Sequence, residues 1–512
     1  MKVPRSFLVC GLVTALVLGS VPALAAGPTG RAPDLAAVGY EAEDGVLSRA
    51  VVEANHPGYT GTGFVNYDNV AGGSVEWTVS AARNTTTTLL FRYANGTAAD
   101  RPLRITVNGT GTVTAFPATG AWTTWRTVPV TATLAAGPNA VRATATASAG
   151  GPNLDSVTVG GTDWSTAVVG STMRRKTPDT LGGWGYTQGL YLYGQYLVYQ
   201  RTRDPRLLAY LRQWADRFVA ADGGTSFSFD NLDQMQSGNV LLLLARETGL
   251  AKYQTAARKI RDRLRTYPTT SDGGLVHATG RPGQLWADGS FMVAPFVIRY
   301  GHQFGEARWG DDLAARQLLV YAAHLQQGTG LLSHAYDENR SQSWADPRTG
   351  LSSQYWCRAI GWYGMAAVDI LELLPADHPD RAAIVDSVRR LVAGYARYQD
   401  PATGRWFQVV DRGDLSGNWT ETSCSSMYTF TVSRAVRRGY VDASYQPVAD
   451  KGYRGVLAKV GTGPDGLTDV ADISVGTNVG DLSYYLGRTR ATNDLHGLGA
   501  FLIMNEESGP VG

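Results

Sequence analysis

The chain has 512 residues, too many for one ordinary domain, and 44% of them are apolar, enough for large cores. Its 46 basic and 44 acidic residues leave a formal charge of +2. No general field is therefore available to hold nucleic acid or an anionic membrane, and neither is expected as a partner.

Lys2 and Arg5, the apolar run from Phe7 to Gly19 and the small-x-small end Ala23-Leu24-Ala25 read as a signal peptide over residues 1–25. The run is short for a bilayer span, so an exported, extracellular protein is expected. Cleavage would remove Cys10 and leave Cys357 and Cys424. These two either form one bridge or serve as two small buried hydrophobes, and the second is the expectation. With no CxxC, no HExxH and no zinc-spaced cluster in the sequence, no metal or organic cofactor is expected in catalysis.

Residues 38–160 read as β structure. Alternating runs such as Ser74–Val79, Thr88–Tyr93 and Leu103–Val107 are separated by turn clusters such as Asn108-Gly109 and Ala136–Asn139. That spacing predicts an antiparallel sandwich. From residue 170 to 508 the period becomes helical, as in Leu207–Val219. About twelve helical segments are expected by this pattern reading, starting near Thr187, Pro205, Asp233, Ala251, Asp288, Trp309, Arg358, Pro379, Thr422, Ala443, Gly480 and Asn493. Loops rich in Gly, Trp, His and Asp lie between alternate helices. The predicted fold class is multidomain: a jelly-roll-like β-sandwich followed by an all-α (α/α)6 barrel.

The chemistry-bearing loops hold Asp233, His277, Trp286, Asp288, His334, Arg358 and Trp362. Aromatic faces pack on the C–H faces of sugars, and charged groups bind hydroxyls and carboxylates. Taken singly, each residue also has a plain structural reading. Asp233 and Asp288 sit where helices begin and would serve as N-caps. His277 and His334 would be satisfied turn residues, the tryptophans core, and Arg358 a partner for a structural carboxylate.

The stretches LDQMQSG (232–238), GGLVH (273–277), LWADGSFMVAPF (285–296), WCRAIGW (356–362) and ETSCSSM (421–427) occur in the order found in one family. From Met173 to Glu507 the chain resembles glycoside hydrolase family 105, the unsaturated rhamnogalacturonyl hydrolases, and more distantly the unsaturated glucuronyl hydrolases. The resemblance implies that Asp288 is the principal catalytic acid and Asp233 the second carboxylate. It also implies that His277, Trp286, His334, Arg358 and Trp362 contact substrate. Val276 and Ala359-Ile360 depart from the family's usual aromatic and Gly-Asn. The implied activity removes a 4,5-unsaturated uronic acid from the non-reducing end of lyase-generated oligosaccharides, rhamnogalacturonan-derived ones foremost. Other polyuronides such as ulvan or chondroitin, or non-catalytic glycan binding, are the alternatives. Such an acid must be protonated at working pH, and an aromatic cleft with a second carboxylate nearby is expected to raise the pKa of Asp288.

Tyr40–Glu43, Gly61–Val65, Val107–Gly109, Trp125 and Gly151–Asp155 resemble carbohydrate-binding module family 35, or the related family 6. That likeness implies a structural calcium held by Glu41, Glu43 and Asp155, the two glutamates facing one way along a strand. It also implies glycan contacts from Tyr59, Trp122 and Asn153. Oligosaccharide substrate and plant cell-wall-type polysaccharide are the expected partners of a monomer.

Overall fold

Period-two burial builds the first half of the chain: Val75, Trp77 and Val79 are buried while Thr78 and Ser80 face outward. The protein is described by a computed structural model covering residues 38–81, 84–160 and 163–508; the expected signal peptide and Cys10 lie outside them. Strands β1 (Val38–Glu41), β2 (Val46–Ser48), β3 (Ala50–Glu53), β4 (Phe64–Tyr67), β5 (Ser74–Ala81), β6 (Thr85–Ala94), β7 (Leu103–Val107), β8 (Thr110–Thr114), β9 (Trp125–Leu134), β10 (Gly137–Ala145) and β11 (Asn153–Val159) form two antiparallel sheets. One has the order β3-β4-β11-β6-β9 with β1 on β11, the other β2-β5-β10-β7-β8. Val65, Trp77, Phe91, Leu103, Val141 and Val157 belong to the core between them. Asn108 and Gly109, at φ of 50° and 85°, make the two-residue turn joining β7 to β8.

The second half is helical: α1 (Trp164–Arg175), α2 (Tyr186–Thr202), α3 (Pro205–Asp216), α4 (Leu232–Gln236), α5 (Gly238–Thr248), α6 (Ala251–Leu264), α7 (Asp288–Phe304), α8 (Ala307–Leu325), α9 (Cys357–Leu373), α10 (Arg381–Tyr398), α11 (Thr422–Arg437), α12 (Gln446–Leu457), α13 (Leu482–Leu486) and α14 (Leu495–Ser508). Helices α2, α5, α7, α9, α11 and α14 pack side by side in a closed ring. Their hairpin partners α3, α6, α8, α10 and α12 lie outside, and α1 pairs with α14. This is the (α/α)6 barrel: α14 meets α2 to close the inner ring, and α1 completes the outer layer.

Two expectations change here. Helix α1 falls before residue 170, where no helix was expected. Its sequence WSTAVVGSTMRR is rich in β-branched and small residues, so its propensity is low. A side-chain cap from Asp163 to Thr166 N helps hold it. The segment near Gly480 is only the five-residue α13 and takes no place in the ring.

Cys357 and Cys424, expected as unlinked hydrophobes, form a disulfide. Each lies in the first turn of its inner helix, and α9 and α11 are neighbours in the ring. Ring geometry thus brings together residues 67 positions apart. Cys357, Glu421 and Cys424 are close enough to suggest a metal group, but disulfide sulfurs are not thiolate ligands.

Candidate active site

The short strands β12 (Gln284–Trp286) and β13 (Ala335–Asp337) pair antiparallel, and Ala287 N donates to His334 O at 2.8 Å. This pairing sets Asp288, the first residue of α7, beside His334. His334 Nε2 lies 3.2 Å from Asp288 Oδ2, a charge-pairing distance without hydrogen-bond alignment. Gly289 lets α7 pass close to α8, because a Cβ there would lie 2.3 Å from the Tyr321 hydroxyl. That hydroxyl donates to Leu275 O at 2.8 Å and anchors the turn carrying His277.

Asp233 arrives from α4, where Leu232 N donates to His277 O at 3.0 Å. His277 Nε2 is 3.8 Å from Asp233 Oδ2. The His277 ring stacks on Trp286 at 4.4 Å and 6°, and the Arg281 guanidinium lies over the same indole at 4.1 Å. Neither aspartate caps its helix. Asn231 caps α4 through its side chain, and α7 has no side-chain cap. The N-cap reading is therefore overturned for both.

All six inner helices send their first turn to this end of the barrel. Tyr186 (α2) contacts His496 (α14) at 2.7 Å and Trp362 (α9) at 6.1 Å between rings. Trp362 packs on Phe291 (α7) at 4.8 Å. Arg358 (α9) reaches Ser423 (α11), and α4 brings Asp233 in just before α5. Helix N-termini carry partial positive charge, so the site has a local field for an anion although the whole chain is near neutral. Arg358 itself is fully buried and its fork donates to the carbonyls of Ser474 and Val475. Arg281 has no carboxylate partner among the described residues. Asp288 Oδ2, His334 Nε2, His277 Nδ1, Gln236 Oε1 and Trp362 Nε1 are buried without a hydrogen-bond partner among the described residues.

Charge is divided unevenly between the carboxyls. Burial pushes the Asp233 carboxyl up, His277 pulls it back, and the charge of Asp288 adds to the rise; the result is above the ordinary value. Burial also pushes Asp288 up, but His334 and then His277 outweigh it and hold it below the ordinary value. The expected rise at Asp288 is thus corrected: the raised carboxyl is Asp233. It is also the more open side chain, 32% exposed against 12%. Burial depresses His277 despite both aspartates. Burial and Arg358 push His496 down to about 4, against the pull of Asp494.

Tyr186, Arg281, Tyr485, Asp494 and His496 belong to this site and went unnoticed in the sequence. For Tyr186 and His496 the available signal is position, since each stands in the first turn of an inner helix as Asp288 does. Trp286 is bonded through Nε1 to Gln284 at 3.2 Å.

In the sandwich, Glu41, Glu43 and Asp155 meet the loop at 60–63. Thr60 Oγ1 lies 2.8 Å from both Glu41 and Asp155, which share its one hydroxyl proton, Thr60 N donates to Asp155 at 2.8 Å, and Arg92 pairs with Asp155. Thr62 N and Gly63 N donate to Glu43 Oε1 at 2.6 and 3.1 Å. Glu43 stands in a 3-10 turn rather than on the strand, so strand alternation does not align it with Glu41. Asp155 sits at a β-bulge between Leu154 and Ser156. The set suits a hard cation in its carboxylate donors, and Glu43 Oε2, buried without a hydrogen-bond partner among the described residues, is available to meet one. Burial, followed by the charges of Asp155 and Glu43 against the Thr60 bond, raises Glu41. Tyr59 and Trp122 join an aromatic group with His56, Phe64 and Trp125. Asn153 is buried on β11 opposite Ala94, which packs in that group.

Residues 164–508 match the family model of Glycosyl Hydrolase Family 88, and residues 41–161 that of Carbohydrate binding module (family 6). A family 105 glycoside hydrolase of Clostridium acetobutylicum superposes with a TM-score of 0.65 at 33% identity, over 68% of this chain and 99% of that one. The 24.9 kDa protein in picA locus of Rhizobium radiobacter is 34% identical over 231 residues, 42% of this chain and 98% of the relative. The exo-beta-D-glucosaminidase of Amycolatopsis orientalis is 51% identical over 142 residues, 27% of this chain; the match spans 13% of that enzyme's length.

Proposed function

This chain belongs to Glycosyl Hydrolase Family 88, and on that premise we propose that it removes a 4,5-unsaturated uronic acid from the non-reducing end of lyase-generated oligosaccharides, rhamnogalacturonan fragments foremost. The observation that carries the reading is the pair of carboxyls, Asp288 buried and Asp233 part-exposed, each backed by its own histidine, where six helix N-termini favour an anionic sugar.

The C4=C5 bond of such a sugar is a vinyl ether, because C5 also bears the ring oxygen. Protonation at C4 places positive charge on C5 and the ring oxygen. Water adds at C5 and loses a proton, and the resulting hemiketal opens to expel the neighbouring sugar. Asp288 donates the C4 proton and then, as carboxylate, takes the proton from the water. It is ionised in the free site, so the incoming uronate, itself an anion, drives a proton onto it. Asp233, the raised carboxyl, keeps that proton available and meets sugar hydroxyls. Arg281, without a carboxylate partner among the described residues, holds the uronate carboxylate, with the remaining donors of Arg358 behind it.

The sandwich acts as a glycan-binding module for polysaccharide carrying the same chemistry. A structural calcium there would be held by Glu41 and Glu43 with Asp155, ordering the loop beside Tyr59. The protein works outside the cell, as a monomer. The deciding experiment incubates the full chain with a panel of lyase-generated disaccharides and follows the ultraviolet absorbance of the conjugated double bond. Loss of absorbance with release of the saturated partner sugar is expected. An unchanged absorbance across rhamnogalacturonan, ulvan and chondroitin products would sink the reading.

A further inference from the structure

Asp288 must alternate between carboxyl and carboxylate, and the Nε2 of His334 faces it at 3.2 Å. A neutral imidazole carries one ring proton, and the partner of its second nitrogen decides where that proton sits. Here Nδ1 lies 2.6 Å from the hydroxyl of Tyr485, and Gly480 N donates to the same oxygen at 3.2 Å. Tyr485 is fully buried on α13, so its hydroxyl proton has no water to meet.

Two arrangements are open. In one, the phenol donates to Nδ1, and the ring proton sits on Nε2 and points to Asp288. The phenol proton then has an acceptor, and the Nε2 proton faces the Asp288 carboxylate at 3.2 Å. In the other, Nδ1 donates to the phenol, the phenol proton is stranded, and a bare Nε2 lone pair confronts a carboxylate oxygen. Stranding a buried donor favours the first arrangement by about tenfold or more.

Another histidine of the site is built the opposite way. His496 Nδ1 lies 2.6 Å from a carboxylate oxygen of Asp494, and Nε2 lies 2.7 Å from Tyr186 Oη. A carboxylate only accepts, so the His496 proton belongs on Nδ1 and Nε2 accepts from Tyr186.

We infer that Tyr485, backed by the Gly480 main chain, is a positioning residue that fixes His334 as the Nε2–H tautomer, the reverse of His496, so that Asp288 always faces a donor. The catalytic consequence rests on the reading of Asp288 as the acid–base group; the tautomer itself does not. Tyr485 touches neither reacting sugar nor water and acts through the imidazole.

The test uses full-length protein with ¹⁵N-labelled histidine and two-bond ¹⁵N–¹H correlation, with H334Q and H496Q assigning the signals. His334 is expected to show a protonated Nε2 and a bare Nδ1, and His496 the reverse. In Tyr485→Phe the His334 pattern should become a mixture of tautomers while the other histidine signals stay in place. On the unsaturated disaccharide kcat should fall about tenfold or more, with KM within about twofold. A wild-type His334 protonated on Nδ1 overturns the inference, as does Tyr485→Phe turning over at the wild-type rate. If the wild type leaves unsaturated disaccharides untouched, the functional reading fails instead, and the ¹⁵N pattern still decides the tautomer.

Discussion

In the sandwich, Glu41, Glu43 and Asp155 are met by main-chain N–H groups, threonine hydroxyls and Arg92, leaving Glu43 Oε2 over. In the barrel, Asp233 and Asp288 face histidines at 3.8 and 3.2 Å, and several polar atoms around them have no partner among the described residues. Both clusters join acidic side chains from distant parts of the sequence. The first is nearly saturated and holds a loop in place. The second, with Asp288 buried and Asp233 part-exposed, leaves buried polar atoms unsatisfied among the described residues, a state that costs free energy unless a ligand completes it. Where donors are spent marks the difference between a group that builds and one that reacts.

That contrast can be broken experimentally. Asp288→Asn should lower turnover of an unsaturated disaccharide about 10³-fold with folding retained by circular dichroism; near-normal turnover would dissolve the distinction. Asp233→Asn should cost about 10²-fold. The raised Asp233 carboxyl loses its proton as pH rises, so wild-type kcat/KM should fall on the alkaline side of that value, and the variant should lose or move this limb. Removing the disulfide with Cys357→Ala and Cys424→Ala should lower stability by roughly 2–4 kcal/mol, read by denaturant melts, with a like effect from strong reductant on the wild type. The smallest effects belong to the sandwich. Trp122→Ala should leave kcat/KM on the disaccharide within about twofold while reducing retention on pectic polymer. Chelation should lower the melting temperature by a few degrees through loss of bound cation, and unchanged melting would argue that the glutamates need no ion.

The ordered motifs made Asp233, His277 and Asp288 legible, and loop composition with the family resemblance added His334, because loop composition survives as local sequence. What they could not convey was electrostatics. Trp286 and a second carboxylate beside Asp288 pointed to a raised pKa, but His334 returns from the β12–β13 pairing and reverses the sign. Tyr485 was invisible because its partner His334 lies 151 positions away, so the helical segment expected near Gly480 gave no sign of the contact. Helix α1 was lost to its valines, serines and threonines, which propensity counts against a helix and packing on α14 overrides. In the sandwich, alternation located β5, β6 and β7 but could not foresee the bulge at Asp155 or the 3-10 turn that carries Glu43.

The pairing of α1 with α14 has a consequence for biosynthesis. A growing chain can form its inner and outer hairpins one at a time, yet the ring stays open until Leu495–Ser508 has emerged and docks between α2 and α11. Until then those two helices expose apolar faces across the gap, the state in which helical intermediates aggregate. Truncation within the last fourteen-residue helix should therefore cost the whole barrel rather than one blade of it.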